Sequence, residues 1–280
     1  MKKEMSKISQ TELHKAVHSH LFHTSECILQ FINNSVNDPS ILPIWLDCVN
    51  SWVSYASRAE LDSMERYNFI SLLTIVLQIM QQRNTEIDPN SIEISDKAME
   101  LIIGAIDVNH SFFKPVIKGI IQDLIFGEWG LNYIYVNKDD PESISQFARF
   151  VISFLLIDLL KFSSSLLNPE NDSKYQFLLN LTNFPGVPIE EESISKDFID
   201  FWFQIAETFA EEEDSLNEIL KNDQQSLKNL IDKSKALFTQ VTHVYWEKIH
   251  VPNKSETIDD LENFNNEFRV YRRDDFKIIN

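Results

Sequence analysis

The sequence predicts an all-α fold, an α-solenoid of stacked helical hairpins, and three observations carry that reading. Glycine is scarce, with 5 in 280 residues. That is well under the roughly 7% of an average chain and argues against turn-dense β architecture and glycine-built phosphate loops. Apolar residues recur at three- and four-residue spacings along nearly the whole chain, the signature of amphipathic helices. Clusters of Pro, Asn and Asp interrupt that periodicity, so helices of roughly 12 to 25 residues pair at intervals of about 40 to 55 residues. With 43% hydrophobic residues, the material for a packed core is ample.

The elements follow in order. A first helix carries Val17, Leu21, Ile28, Phe31 and Ile32 and ends at Asn33-Asn34, before Asp38-Pro39. Ser40 is the expected N-cap of a second, with a stripe of Ile41, Ile44, Trp45, Cys48, Trp52 and Tyr55. A third spans about Leu61 to Gln82, with Tyr67, Ile70, Leu73, Val76, Leu77 and Met80, and Asp88-Pro89-Asn90 breaks the chain after it. Two more are expected from about Ser95 to Asp107 and from Phe113 to Tyr135, with Pro115 suited to a first turn. Asp139-Asp140-Pro141-Glu142 starts a long helix reaching Ser164, and a short one ends near Thr182. Asn183-Phe184-Pro185-Gly186-Val187-Pro188 is the densest breaker cluster. Helices from Ser193 to Glu213 and from Gln224 to Ile249 follow, then Val251-Pro252-Asn253 and a last amphipathic segment from about Asp259.

Residues 1–280 are therefore read as one continuous array of about five to six hairpins, incomplete at both ends. The first helix has no partner in the pattern, and the last segment runs to Asn280 without a C-cap, whereas solenoids close with polar capping repeats. Trp52 and Trp202, each mid-helix and flanked by aromatics, form a weak internal echo. No apolar h-region follows Met1-Lys2-Lys3-Glu4, so no signal peptide is expected. Cys27 and Cys48 make neither a disulfide framework nor a C-x-x-C pair and read as reduced thiols. The most apolar run, Phe150 to Leu160, is short, contains Asp158 and reads as a core helix. The N-x-S/T sequons starting at Asn33, Asn171, Asn180 and Asn253 read as chance matches in an Asn-rich chain.

Charge narrows the partners. The net charge is −18, and residues 186–262 hold 18 acids and 7 basic residues, so −11 of it lies there. Such a chain is a poor ligand for nucleic-acid phosphates or an anionic membrane and would attract basic proteins. Among the acids, Glu211, Glu212, Glu213 and Asp214, at a helix C-terminal end, and Asp259, Asp260 and Glu262 are the candidate contacts for a basic partner. Glu190-Glu191-Glu192, at a loop-to-helix junction, suits the helix dipole and reads as capping.

Catalytic chemistry finds no positive support. His14, His18, His20 and His23 crowd one helix with Cys27, and imidazoles at i and i+4 can share a metal. On a helical wheel, however, His14 and His18 flank one side of the apolar stripe while His20, His23 and Cys27 flank the other. A metalloenzyme is thus the weakest reading, and no metal or other cofactor is expected. Gly119, Gly127 and Gly130 form no phosphate-binding motif, no G-x-S-x-G elbow is present, and no acid pair is singled out.

Three motifs, in order, carry a family resemblance. Ile44-Trp45-Leu46-Asp47-Cys48-Val49-Asn50-Ser51-Trp52 resembles the tryptophan-bearing first helix of a mid-chain HEAT repeat in nuclear transport receptors. Ser193-Ile194-Ser195-Lys196-Asp197-Phe198-Ile199-Asp200-Phe201-Trp202-Phe203 resembles an "S-F-x-F-W" helix, preceded by the leucine-rich Phe177-Leu178-Leu179-Asn180-Leu181. Phe264-Asn265-Asn266-Glu267-Phe268-Arg269-Val270-Tyr271-Arg272 resembles an "F-x-x-F-R-x-x-R" segment that follows an acidic patch. Together they resemble the transportin-SR/importin-13 branch of the importin-β (karyopherin-β) superfamily over roughly residues 20 to 280. The resemblance implies a right-handed superhelix of HEAT hairpins that shuttles between nucleus and cytoplasm. It also implies basic protein cargo, Phe-Gly nucleoporins and Ran GTPase as partners, without an active site. Receptors of this branch are several times longer and bind Ran mainly near the N-terminus, so Ran binding is the implication that transfers least well to this segment. The rival reading is a HEAT scaffold of another complex, such as a phosphatase or trafficking coat.

Overall fold

A computed structural model describes residues 20–35, 38, 40–56, 63–82, 89–250 and 267–271. It divides into two compact units, Met1–Asn132 and Tyr133–Asn280. Every regular element among the described residues is helical; one isolated bridge, Pro188 to Glu192, is the only extended pairing among them. The all-α class is as the periodicity predicts.

The first unit contains α1 (Leu21–Ser35), α2 (Leu42–Ala56), α3 (Ser63–Gln82), α4 (Pro89–Asn109) and α5 (Pro115–Phe126). Consecutive helices from α1 to α4 are packed neighbours, and alternate helices lie side by side: α1 against α3, α3 against α5, and α2 against α4. That alternation is what stacked hairpins require, because each pair buries its apolar face on the next. Ile28 and Ile32 of α1 and Leu73, Val76, Leu77 and Met80 of α3 are buried as the stripes predict, whereas Phe31 is half exposed. Val17 and the side chains of Tyr55 and Tyr67 lie outside the described residues.

Helix α2 buries a face rotated from the predicted one. Leu42, Trp45, Leu46, Val49, Trp52 and Val53 are inside, while Ile44 is 70% exposed and Cys48 is exposed. The helix is apolar nearly all round, so periodicity alone offers two faces; packing against α4 selects one. A bidentate ion pair from Lys97 of α4 to Asp47, at 2.7 and 2.9 Å, marks the rim of that contact. The start of α2 also differs from expectation. Ser40 donates its hydroxyl to Asp38 at 2.7 Å, so Asp38, not Ser40, anchors the turn. Helix α4 starts at Pro89, six residues before the predicted Ser95, because a proline suits a first helical turn.

The predicted helix from Phe113 to Tyr135 is two helices, α5 and α6 (Glu128–Val136), separated at Gly127, whose φ of −97° and ψ of −164° are extended. The turn is tight. A Cβ built on Gly130 would lie 2.1 Å from the Ile125 carbonyl oxygen, and one on Gly127 would lie 2.2 Å from that of Asp123. Gly130→Ala should therefore cost about 1–3 kcal/mol or more by overpacking against backbone. A fall in urea midpoint at constant m-value would show it; an unchanged midpoint would mean the turn has slack.

In the second unit, α7 (Pro141–Leu156) begins as predicted. Asp140 accepts from the amides of Glu142 and Ser143 and from the Ser143 hydroxyl, with Pro141 in the first turn. The predicted helix to Ser164 instead bends by 90° into α8 (Leu159–Ser164). No Pro or Gly forces the bend; breaking the run lets α7 and α8 both pack on α10. Then come α9 (Asp172–Thr182), α10 (Ile194–Glu211), α11 (Glu213–Ile219) and α12 (Gln224–Ile249). Helix α7 lies beside α10 and α9 beside α12, again as two stacked hairpins. Phe147 of α7 meets Phe177 of α9 edge-on at 6.3 Å, and Trp202 of α10 meets Phe238 of α12 edge-on at 6.4 Å. At the foot of α10, the Ser145 hydroxyl donates to Asp197 at 2.8 Å. Burial pushes that carboxyl above the usual carboxylate range, with the Ser145 bond opposing it. Residues 267–271 form a short helix that buries Phe268 and Tyr271; the rest of the predicted last segment lies outside the described residues. Among the described residues no single helix is long and apolar enough to cross a membrane.

Candidate protein-binding surface

The acidic run sits at the joint between α10 and α11. The Glu212 amide still donates to Thr208, but its ψ of 31° leaves the helix, and α11 starts at the next residue. Leu216, fully buried, pins α11. Glu211, Glu212, Glu213 and Asp214 are all exposed, and Ser215 donates to the Glu212 carboxylate at 2.7 Å. The placement of the whole run at a helix C-terminal end is thereby corrected: only Glu211 closes a helix, while Glu213 and Asp214 occupy a first turn, where negative charge is favoured. The structure thus brings four carboxylates together on one solvent-facing joint. Asp259, Asp260 and Glu262 lie outside the described residues.

Of the histidine set, His23 and Cys27 are 3.7 Å apart on the exposed side of α1. His14 and His18 lie outside the described residues. Among the described residues no group of three or more His, Cys, Asp or Glu is disposed to hold a metal ion.

The Glu190-Glu191-Glu192 run does more than cap. Glu192 accepts from the Ser195 amide at 2.9 Å and from its hydroxyl at 2.7 Å, which is the capping role. It is also fully buried and ion-paired at 3.0 Å with Lys248 of α12. The Lys248 ammonium donates as well to the carbonyls of Phe184 and Gly186, so its three hydrogens are all used. Tyr245 donates to the Ser195 carbonyl at 2.8 Å, and Tyr271 donates to the Ser195 hydroxyl at 3.0 Å. One buried network therefore ties the loop before α10, α10 itself, α12 and residues 267–271 together. Sequence reasoning missed it because its charges are 56 residues apart. The available signal was a lysine on the buried stripe of α12, in register with Leu237, Val241 and Tyr245.

An apolar groove of about 280 Å³ runs between α9 and α12. Tyr175, Leu179, Ala236 and Leu237 line it, and Asp172 and Lys233, 3.7 Å apart, sit at its rim. Burial pushes the Tyr175 phenol up, so it stays neutral, and it donates to the Phe162 carbonyl at 2.7 Å. The groove is large enough for one apolar side chain and carries no cluster of reactive groups.

No protein-family model matches the chain. No solved structure matches it. Among curated proteins, the importin beta-like protein kap111 of Schizosaccharomyces pombe is 26% identical over 192 residues, 65% of this chain. Those residues span 18% of kap111. The chain is built of helical hairpins stacked within each unit, and its likeness to kap111 supports the importin-β superfamily for it.

Proposed function

We propose that this chain is a segment of a nuclear transport receptor that binds basic protein cargo and Phe-Gly nucleoporins, with Ran GTPase regulating the exchange. The observation that carries the reading is the likeness to an importin beta-like protein over 192 residues, on a fold of stacked helical hairpins. The finer reading is the transportin-SR/importin-13 branch, nearest the fungal karyopherin linked to pleiotropic drug resistance. It rests on the three sequence motifs around Trp45, Trp202 and Phe268. In this reading the two units are consecutive stretches of one HEAT array that shuttles through the nuclear pore. The α9–α12 groove offers a seat for a phenylalanine of a Phe-Gly repeat, and the carboxylates of Glu211, Glu212, Glu213 and Asp214, with Asp259, Asp260 and Glu262, attract basic cargo. The chain acts by binding and has no catalytic step.

The test is an affinity pull-down from combined nuclear and cytosolic lysate, repeated with excess GTP-locked Ran. Phe-Gly nucleoporins and basic nuclear proteins should be recovered, and Ran should release the latter. A single stoichiometric partner indifferent to Ran would instead indicate a scaffold of another complex. Reversing Glu211, Glu212, Glu213 and Asp214 to lysine should weaken a recovered basic cargo roughly tenfold at low salt, since each exposed pair contributes little alone and salt screens them. Equal affinity at low salt would remove the four acids from the cargo surface.

A further inference from the structure

Helix α1 carries a pair of metal-ligating side chains away from the acidic joint and the groove. His23 and Cys27 are four residues apart, a spacing that sets both on one face of a helix. Their Nε2 and Sγ atoms are 3.7 Å apart, and both side chains are exposed. A tetrahedral ion held by sulfur at about 2.3 Å and by imidazole nitrogen at about 2.0–2.1 Å sets those two atoms about 3.5 Å from each other. The pair already stands near the edge length of a zinc-type coordination sphere, so a cation needs little rearrangement to enter.

The donor set selects the cation. Thiolate and imidazole favour Zn²⁺ and related ions, whereas Mg²⁺ and Ca²⁺ seek oxygen. A chain of net charge −18 also concentrates cations at its surface. Cys48 is a free, exposed thiol too, but its neighbours at helical spacing are Ile44, Trp45, Ser51 and Trp52, so it has no second strong ligand. His20, one turn before His23, is exposed, yet no third His, Cys, Asp or Glu joins the pair among the described residues.

We propose that His23 and Cys27 chelate one divalent cation of the zinc class at the surface of α1, with water in the remaining coordination positions. On binding, the Cys27 thiol gives its proton to solvent and its sulfur donates an electron pair to the ion. His23 donates through Nε2 and keeps its proton on Nδ1. The chelate spans one helical turn and clamps it. This site is independent of the transport reading, and neither needs the other.

The experiment titrates the full chain, reduced and freed of metal, with Co²⁺ as a coloured substitute for Zn²⁺, in the presence of excess Mg²⁺. A thiolate-to-cobalt charge-transfer band should grow and saturate, and added Zn²⁺ should abolish it by displacement. Cys27→Ser should remove the band, and Cys48→Ser should leave it unchanged. His23→Ala should weaken binding by at least the roughly 10–100-fold that even outer partners of a metal site contribute. The band reports sulfur, so it separates this site from the exposed His243–Glu247 pair, 3.4 Å apart at the same spacing. The substituted side chains are exposed, and far-UV circular dichroism will show that the variants keep their helices. No band in the wild type, or a band that survives Cys27→Ser or depends on Cys48, would overturn the site. Equal affinity in the wild type and His23→Ala would show only adventitious attraction of a cation to an acidic chain and overturn it as well.

Discussion

Replacing Lys248 with methionine is expected to destabilise the second unit by about 3–5 kcal/mol, because it leaves the Glu192 carboxylate buried and unpaired. The two side chains are 6% and 0% exposed, so solvent cannot take over from the lost ammonium. Two loop carbonyls, on Phe184 and Gly186, lose their donor at the same time. The pair itself need not be strongly stabilising, since removing both charges from water carries its own penalty. Lys248→Met combined with Glu192→Gln should therefore recover much of the loss, and urea unfolding of the two single variants and the double as a double-mutant cycle measures the coupling. A single variant within about 0.5 kcal/mol of wild type would mean that water reaches Glu192.

The second large effect is at Trp202, fully buried in α10. Its ring meets Phe198, Phe201 and Phe238, and its Nε1 donates to the Thr182 hydroxyl at 2.9 Å. Truncation to alanine opens a cavity at the centre of both hairpins of the unit and should cost about 3–5 kcal/mol. For a unit of this size, that corresponds to a fall in Tm of roughly 10 °C by calorimetry. Trp202→Phe keeps an aromatic ring and loses the hydrogen bond, so a smaller loss, about 1–2 kcal/mol, is expected. Equal losses in the two variants would show that the hydrogen bond, and not the ring volume, holds the contact.

These two sites differ in how far they could be read in advance. Trp202 is legible: it lies on the apolar stripe with Phe198 and Ile205, at helical spacing, and all three are buried. Lys248 is not, because its partner is in a loop 56 residues away. The four acids at residues 211–214 were legible as a charged run, yet their division between the end of one helix and the start of the next was not. That division depends on where Leu216 finds its core position, which is a tertiary matter.

By itself the sequence determined the helical class, most of the breaks and the sign of the surface charge. Glycine scarcity, 3.6-residue periodicity and net charge are local or additive properties that no packing can reverse. It also held the motifs that link the chain to importin-β-like proteins. Tertiary structure alone decided which face of α2 turns inward, where two predicted long helices divide at Gly127 and after Leu156, and how alternate helices stack within each unit. Those choices are made by competition between apolar faces of nearly equal hydrophobicity, and only contact with the neighbouring helix breaks the tie.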